Sequence, residues 1–273
     1  MTLPDGAAER LTLRELMVMH VAALFTLDAS GRMLRGNEPS GKVAPRFFLG
    51  RTPDGNVWRF RHDQGDDVVQ AIEALCRAEI ATDELLRPPY GATQYRDVLE
   101  RFAPVQRVET GPAYCFPAVL EQPTDMTDVV IVTRENSDVL RRYLSPWLED
   151  VAIGQPLVAL LRDGHAVSVC CSVRLTDHAY EAGVETHPEF RGQGFAPRVV
   201  TAWGRTVRAM GRIPLYSTSW GNLASQAVAA KVGLIRYGTD LMFWGQSGIS
   251  SFQRGRRSRR RGPGANSEGA EQT

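Results

Sequence analysis

The chain has 273 residues, a length that accommodates two domains of ordinary size. Hydrophobic residues make up 43% of the chain and charged residues 23%, which is typical of a globular protein and excludes a fibrous or wholly disordered one. The longest apolar run, at 16–27, is about half the length that spans a bilayer, so we expect neither a transmembrane helix nor a signal peptide. The four cysteines lack Cys-x-x-Cys spacing and nearby histidine clusters, which argues against a disulfide scaffold or a structural zinc site. These features predict a cytoplasmic protein that holds no metal.

Charge is distributed unevenly along the chain, although the formal net charge is +1. Residues 254–262 read RGRRSRRRG and hold six of the 32 basic residues, whereas the chain before residue 248 carries 26 basic and 29 acidic residues. Gly, Ser, Arg and Glu bury too little apolar surface to order a segment, so residues 248–273 are predicted to form a disordered Arg-rich tail. Because the rest of the chain has no basic surplus, we expect no nucleic-acid partner beyond weak contact through this tail.

Residues 1–122 are predicted to form a small α+β domain. Thr12 and Glu15 have the spacing of a capping box, which predicts a short helix after them. A Pro-Asp-Gly turn at 52–55, flanked by apolar residues, predicts a hairpin, and Asp66 or Asp67 is expected to cap a later helix. The predicted elements are strands at 22–27 and 32–35, strands at 46–51 and 56–61, and helical stretches at 68–79, 83–86 and 95–102. No side chains in this part form a recognisable chemical motif, so its role stays open.

A second domain is predicted at 123–247. Between residues 103 and 124 the periodicity fails and four prolines interrupt the chain, which indicates a linker there. The predicted elements beyond it are strands at 128–133, 156–162, 166–174, 179–186, 214–219 and 235–244, and helical stretches at 137–149, 194–210 and 222–232. This alternation predicts a mixed sheet flanked by helices, and the fold class as a whole is α+β.

The stretch THPEFRGQGFA at 186–196 lies between a predicted strand and a strongly amphipathic helix. Gly192 and Gly194 allow a tight turn that brings a ligand close to the backbone, and Arg191 can add a bidentate contact. Unpaired amides at the start of the helix bind phosphate well. Glycine-rich turns also occur for packing alone, and this one is neither a Walker loop nor a dinucleotide fingerprint.

Two segments together resemble a known family. Arg191-x-x-Gly194-x-Ala196 is similar to the Q/R-x-x-G-x-G/A motif of the GNAT superfamily of acyl-CoA-dependent N-acyltransferases. The segment from Asn222 to Leu234 resembles the second signature of that family, in which an asparagine opens a helix that ends in lysine, an apolar residue, glycine and an aromatic residue. The two signatures occur in the expected order and separation, and the resemblance covers residues 125–246.

The resemblance implies a site for coenzyme A, with acetyl-CoA as the cosubstrate and no metal. The strand segment from Val184 to Thr186 would splay from its neighbour and hydrogen-bond the pantetheine arm. Asn222 would lie beside the same arm, although it can equally serve as the N-cap of its helix. The loop amides would hold the pyrophosphate, and the residues concerned are Arg191, Gly192, Gln193, Gly194, Phe195 and Ala196.

Glu181 and Glu185 are the candidate catalytic bases, since residues four apart on a strand point to the same face. The family commonly uses a carboxylate on this strand to remove a proton from the attacking amine, and Glu181 lies nearer the middle of the strand. Both glutamates can instead be solvated or ion-paired. Ala229 stands where the family often has a tyrosine that protonates the departing thiolate, and Tyr216 and Ser219 are possible substitutes.

The resemblance therefore implies an N-acetyltransferase that moves an acyl group from coenzyme A to a primary amine by direct attack in a ternary complex. A non-catalytic acyl-CoA-binding module that regulates through the N-terminal part is the alternative, and Ala229 favours it. The expected partners are an acyl-CoA and an amine, with no membrane. The sequence leaves open the identity of the acceptor, the length of the acyl chain and the oligomeric state.

Overall fold

The computed structural model describes residues 11–86, 89–121 and 126–246. The predicted capping box is confirmed: the Thr12 hydroxyl accepts from the backbone N–H of Glu15, and the Glu15 carboxylate accepts from that of Thr12. The first elements are α1 (Leu13–Leu24), β1 (Phe25–Leu27), β2 (Met33–Gly36), β3 (Phe47–Arg51), β4 (Val57–Phe60), α2 (Asp66–Ala78), α3 (Ala92–Glu100) and β5 (Arg107–Cys115). Both predicted hairpins and three of the four predicted helices are therefore present.

Two details of this part differ from the sequence prediction. Gly65 is the N-cap of α2, so the expectation that Asp66 or Asp67 caps the helix was wrong. Both aspartates lie in the first turn instead, where their charge favours the positive end of the helix dipole. Residues 83–86 form a turn and not a helix, because four residues are too few to offset helix nucleation.

The remaining elements are β6 (Val129–Val132), β7 (Leu157–Arg162), β8 (His165–Leu175), β9 (Ala179–Thr186), α4 (Phe195–Ala209), β10 (Ile213–Ser217), α5 (Leu223–Val232) and β11 (Ile235–Trp244). They follow the predicted order. The stretch predicted as one helix at 137–149 is two 3-10 helices, Ser137–Leu140 and Ser145–Ala152. Pro146 accounts for the break, since its ring cannot continue a helix that arrives from the preceding turn.

Nine strands form one mixed sheet in the order β4-β3-β11-β5-β10-β9-β8-β7-β6, and β1 pairs with β2 separately. All neighbours are antiparallel except β9 and β10. The α+β class with a mixed sheet and flanking helices is thereby confirmed. The sheet continues across the predicted boundary at residue 122, because β3, β4 and β5 lie in it beside strands of the C-terminal part. The division into two domains at that point stays a prediction. All of residues 248–273, and the disorder predicted for them, lie outside the described residues.

Strand β5 occupies the segment that the sequence indicated to be a linker. The last residue pair between β5 and β10 is Ala113 with Ser217. Pro112 lies one residue beyond this pair, so the N–H that proline lacks is at the position where the β5–β10 ladder ends. Gly111 is needed for close approach, because a Cβ there would lie 1.7 Å from the carbonyl oxygen of Thr218. The glycine and proline that resemble linker residues therefore serve a crowded central strand.

The helices cover opposite faces of the sheet. Leu215 of β10 packs in the cluster that contains Leu16 and Met17 of α1. The next residue, Tyr216, packs with Trp203 of α4 and Ala229 of α5. Since successive strand residues point to opposite faces, α1 lies on one face and α4 with α5 on the other. None of the described helices is long and apolar enough to cross a membrane.

Candidate active site

The parallel ladder between β9 and β10 is short. Its first residue pair is Ala179 with Ile213 and its last is Glu181 with Leu215, although both strands continue beyond that pair. Strand β9 remains paired with β8 as far as Thr186, and β10 remains paired with β5 as far as Ser217. A gap therefore opens in the sheet beyond Glu181. It lies beside Val184–Thr186, as the resemblance implies.

A cavity of about 520 Å³, here called the loop cavity, lies on the α4 and α5 side of this gap. All the predicted cofactor residues except Gln193 line it: Val184, Thr186, Arg191, Gly192, Gly194, Phe195, Ala196 and Asn222. The structure therefore brings together strand β9, the glycine loop and the start of α5, which are separate in the sequence.

The glycine loop has a left-handed backbone conformation that favours glycine. Gly192 and Gly194 have φ angles of +78° and +77°, and Gly194 is the N-cap of α4. A Cβ at either position would meet nothing within 4 Å, so the backbone here borders open space. Nε of Arg191 donates to the carbonyl oxygen of Thr186 at 3.1 Å, which holds the arginine beside the loop. The helix dipole and this guanidinium make the loop end of the cavity attractive to an anion.

Helix α5 forms the opposite wall of the loop cavity. Asn222 is its N-cap, as predicted, since Oδ1 accepts from the backbone N–H of Ser225 at 3.0 Å. Ala224 and Ala227 line the cavity with small side chains, which leaves room for a ligand. Lys231 also lines it and adds a second cation. The sequence analysis used Lys231 only as part of a signature and missed its place in the wall.

Glu181 lies in a different environment from the loop cavity. Its side chain is buried on the α1 face, with 1% of its surface exposed. Oε1 accepts from the hydroxyl of Ser217 at 2.6 Å, and Oε2 lies 3.5 Å from Nδ1 of His20. Nε2 of His20 lies 3.8 Å from Oδ2 of Asp240, which belongs to β11. Sequence reasoning missed His20 and Asp240, because nothing in the local pattern joins α1 and β11 to β9.

The three ionisable groups alter one another's protonation. Burial alone lowers the pKa of His20, but Glu181 and Asp240 outweigh it and raise that pKa to about 9. Burial raises the pKa of Glu181, but the charge of His20 and the hydrogen bond from Ser217 bring it below its ordinary value. The pKa of Asp240 is raised by burial, which His20 offsets only in part. At neutral pH the cluster thus holds an imidazolium between two carboxyl groups.

A second cavity, of about 670 Å³, lies on the α1 face and is here called the opposite cavity. Ser217 and Asp240 both line it, so the buried cluster borders this cavity. Other lining residues come from both parts of the chain and include Phe25, Glu38, Lys42, Arg107, Glu109 and Arg174. The N-terminal part thereby closes one side of the gap in the sheet.

Glu185 is exposed at the far end of β9, where it lines the loop cavity. Its Oε2 accepts from Nε1 of Trp147 at 2.6 Å. The two predicted carboxylates therefore differ in surroundings: Glu181 is sealed beneath Ser217, and Glu185 is at the surface.

The residues considered as proton donors to the thiolate also lie in different surroundings. Ala229 is fully buried in the core beneath α5. The Tyr216 hydroxyl lies 2.7 Å from Oγ of Ser225, which lines the loop cavity, whereas Ser219 is exposed and lines the opposite cavity. Burial raises the pKa of Tyr216 to about 12, so its hydroxyl stays protonated at neutral pH.

The cysteines play no visible part in the site. Cys170 and Cys171 are buried and pack in clusters on opposite faces of the sheet. Among the described residues, no group of three or more His, Cys, Asp or Glu side chains is arranged to hold a metal ion.

Residues 155–239 match the family model described as GNAT acetyltransferase. This range contains both sequence signatures, the gap between β9 and β10, and most of the wall of the loop cavity. The match covers these residues only, and it supports membership of this part of the chain in the GNAT superfamily. Membership supports acyl transfer from coenzyme A as the general reaction, without naming the acceptor.

Several solved structures are similar to the chain. One is an acetyltransferase of the GNAT family from Colwellia psychrerythraea, with 15% identity over 76% of this chain and 83% of that one, and a TM-score of 0.45. A GCN5-related N-acetyltransferase from Sphaerobacter thermophilus has 14% identity over 84% of each chain and a TM-score of 0.44. Another, from Kribbella flavida, has 16% identity over 76% of this chain and 90% of that one, and a TM-score of 0.42. At these values the likenesses carry no argument about activity. No curated protein matches the sequence significantly.

Proposed function

We propose that this protein is an N-acetyltransferase that transfers an acetyl group from coenzyme A to a primary amine by direct attack. The observation that carries the proposal is the gap between β9 and β10, which has the loop cavity on one face and the opposite cavity on the other. Two substrates entering from opposite faces can meet at this gap. Holding the thioester and the amine together there would supply much of the rate enhancement.

The position of the loop cavity beside the gap and the two cations in its wall support coenzyme A as its occupant. The pyrophosphate would lie against the amides at the start of α4, with Arg191 and Lys231 beside it. The pantetheine arm would run along Val184–Thr186, the part of β9 that borders the gap. It would then pass Asn222. Within the loop itself, the residues proposed to contact coenzyme A are Gly192, Gln193, Gly194, Phe195 and Ala196.

Glu181 is the proposed base, acting through Ser217. Since Glu181 is buried and Ser217 lines the opposite cavity, the serine hydroxyl stands between the carboxylate and an incoming amine. The amine nitrogen would attack the thioester carbonyl, forming the C–N bond while the C–S bond breaks. Glu185 stays the alternative base, although it lines the loop cavity and its carboxylate already accepts a hydrogen bond from Trp147.

Tyr216 is the proposed source of a proton for the departing thiolate, through Ser225. Their hydroxyl oxygens lie 2.7 Å apart, and Ser225 faces the cavity in which the thiol would leave. The thiolate would take the proton of Ser225, and Ser225 would regain one from Tyr216. This pair would replace the hydroxyl that the family often has at the position of Ala229.

A non-catalytic acyl-CoA-binding module is the second candidate, and the burial of Ala229 in the core favours it. Release of free thiol from acetyl-CoA in the presence of a panel of amines separates the two. Amine-dependent release supports the transferase. Calorimetric binding of acetyl-CoA without turnover on any amine would support the module.

A further inference from the structure

Helix α4 begins at the glycine loop without stabilising groups of its own. Its N-cap, Gly194, makes no side-chain hydrogen bond, and its first turn, which the structure describes in full, contains no acidic residue. By contrast, the side chain of Thr12 caps α1 and that of Asn222 caps α5. A side-chain cap in α4 would occupy amides that an anion could otherwise bind. The start of α4 therefore keeps its amides available and needs support from another part of the chain.

Asp128 supplies support of this kind from a different element. It lies directly before β6, and its carboxylate accepts hydrogen bonds from the guanidinium groups of Arg162 and Arg198. Arg198 is the fourth residue of α4, and its Nη1 also donates to Oδ2 of Asp128 at 3.2 Å. Arg162 is the last residue of β7. The carboxylate therefore joins the beginning of α4 to the β6–β7 pair at the edge of the sheet.

Arg162 makes a second contact with the beginning of α4. Its Cζ lies over the ring of Phe195, 4.5 Å from the ring centroid, and a cation in this position is attracted to the ring. Phe195 follows Gly194 directly, and its ring is buried in the cluster that contains Val199. The first and the fourth residues of α4 are thus both held from outside the helix, next to the glycine loop.

The charges of these groups favour the same arrangement. A cation such as Arg198 near the start of a helix is unfavourable by itself, because that end of the helix carries a partial positive charge. Burial raises the pKa of Asp128, but the hydrogen bonds from Arg162 and Arg198 bring it below its ordinary value, so the carboxylate is ionised at neutral pH. Asp128 and Arg198 are both partly buried, which reduces the screening of their attraction by salt. The described residues that line the loop cavity include neither arginine.

Resting on the coenzyme A site proposed above, we propose that Asp128, Arg162 and Arg198 form a clamp, here called the loop clamp, that fixes the first turn of α4 so that its amides are aligned for the pyrophosphate. Asp128 touches no ligand and is a positioning residue that acts through the two arginines. Because the loop clamp holds side chains, the backbone N–H groups at the start of α4 stay available. Hydrogen bonds weaken steeply as their angle departs from linear, so a small displacement of this turn lowers the affinity for a phosphate.

A purely electrostatic role for the loop clamp would have the opposite consequence. Two arginines and one aspartate leave one positive charge in excess beside the anion site. If this charge merely attracted the ligand, neutralising Asp128 would increase the excess and tighten binding. If Asp128 positions the turn, the same change loosens the turn and weakens binding. The sign of the change in affinity therefore separates the two roles.

The test is calorimetry of acetyl-CoA with the wild type and Asp128→Asn, at low and at high ionic strength, together with the melting temperature of each protein. Asparagine keeps one acceptor oxygen but has no charge, and its amide nitrogen cannot accept a hydrogen bond from the second arginine. We expect the affinity to fall by roughly tenfold, about the value of one charge-assisted hydrogen bond. The salt dependence of binding should stay as in the wild type, because neither arginine contacts the ligand.

A matched pair of variants on α4 accompanies this test. Arg198→Gln and Arg205→Gln each remove an arginine that joins the helix to another segment, since Nη1 of Arg205 donates to the carbonyl oxygen of Leu120 at 3.2 Å. Only Arg198 lies near the glycine loop. We expect Arg198→Gln to weaken acetyl-CoA binding without changing its salt dependence, and Arg205→Gln to bind as the wild type does. Asp138→Asn, which breaks an exposed ion pair with Arg141, should also bind normally.

The outcomes that overturn the inference differ from the one that overturns the proposed function. Unchanged or tighter binding in Asp128→Asn rejects the loop clamp while the coenzyme A site stands. Equal losses in Arg198→Gln and Arg205→Gln reject it as well, because general loosening of α4 would explain both. If the wild type binds no acetyl-CoA, the proposed function fails and this inference fails with it. If Asp128→Asn does not fold, the matched pair decides: a loss in Arg198→Gln with reduced salt dependence assigns a charge contact and rejects positioning.

Discussion

Nε1 of Trp147 donates to Oε2 of Glu185 at 2.6 Å and holds that carboxylate at the exposed end of β9. Trp147 belongs to a 3-10 helix that the sequence places far from β9, so this contact is a product of the tertiary fold. It engages Glu185 beside the loop cavity, whereas Glu181 is enclosed on the α1 face. The two strand carboxylates are therefore open to separate tests.

Glu181→Gln keeps the shape of the side chain and removes its basicity. We expect turnover at neutral pH to fall by roughly a hundredfold or more, the usual contribution of a positioned base. Acetyl-CoA affinity should stay near the wild-type value, because Glu181 does not line the loop cavity. The deficit should shrink with rising pH, since more of the amine is then already deprotonated. Steady-state kinetics from pH 6 to 10 measure this.

Glu185→Gln is the control on the same strand. It should change turnover little, with at most a modest effect on acetyl-CoA affinity. A pH-dependent loss in Glu185→Gln without one in Glu181→Gln would move the base to Glu185. If neither variant shows it, the strand carboxylates are structural.

Gly194→Asn tests the coenzyme A site. Asparagine tolerates the left-handed conformation that Gly194 adopts, so the loop should keep its shape. Its side chain would project into the space that the pyrophosphate needs, and we expect calorimetric binding of acetyl-CoA to be lost. Valine at this position would block the site too, but a branched side chain at a φ of +77° would also strain the backbone.

Gly164→Asn is the matched control for that variant. Gly164 has the same φ of +77° and open space around it, but it lies in the turn between β7 and β8. This variant should bind acetyl-CoA as the wild type does. Normal binding by Gly194→Asn in a folded protein would contradict the assignment of the loop.

Tyr216→Phe tests the proton supply to the departing thiolate. We expect kcat to fall by about tenfold, less than for the base, because a thiolate is a good leaving group. Acetyl-CoA affinity should be unchanged, since the hydroxyl reaches the cavity only through Ser225. Tyr114→Phe, which removes a hydroxyl from the neighbouring ring, is the comparison and should retain full kcat. Equal rates in the two variants would mean that the thiolate leaves into water.

Stability should depend on pH through His20. Its pKa is about 9 in the folded protein and about 6.5 when unfolded, so its stabilising contribution is complete below pH 6.5 and is lost as the pH rises through 9. The corresponding fall in the free energy of unfolding is at most about 3 kcal/mol. Urea denaturation at pH 6.5 and pH 9 measures it, and His20→Asn should abolish most of the difference. An equally steep fall in His20→Asn would assign the dependence to other groups.

Short stretches of sequence were sufficient for most of the local structure. The capping box at Thr12, the hairpin at 46–61 and the amphipathic helix at 194–210 each depend on residues close together in the chain, and all three are present. The glycine loop and the Asn222 cap are predictable for the same reason. Pro112 was wrongly predicted to lie in a linker, since a proline at the end of a ladder resembles one in a linker.

Contacts between distant segments were decided only by the tertiary structure. Strand β5 lies between β10 and β11, and this strand order places Asp240 of β11 within reach of His20 and Glu181. Alternation of apolar and polar residues shows which face of a strand is buried, but it does not specify the neighbouring strand. The sequence therefore determined the glycine loop, whose groups are adjacent in the chain. The buried cluster and the opposite cavity arose from packing α1 and β5 against a sheet whose strand order no local pattern encodes.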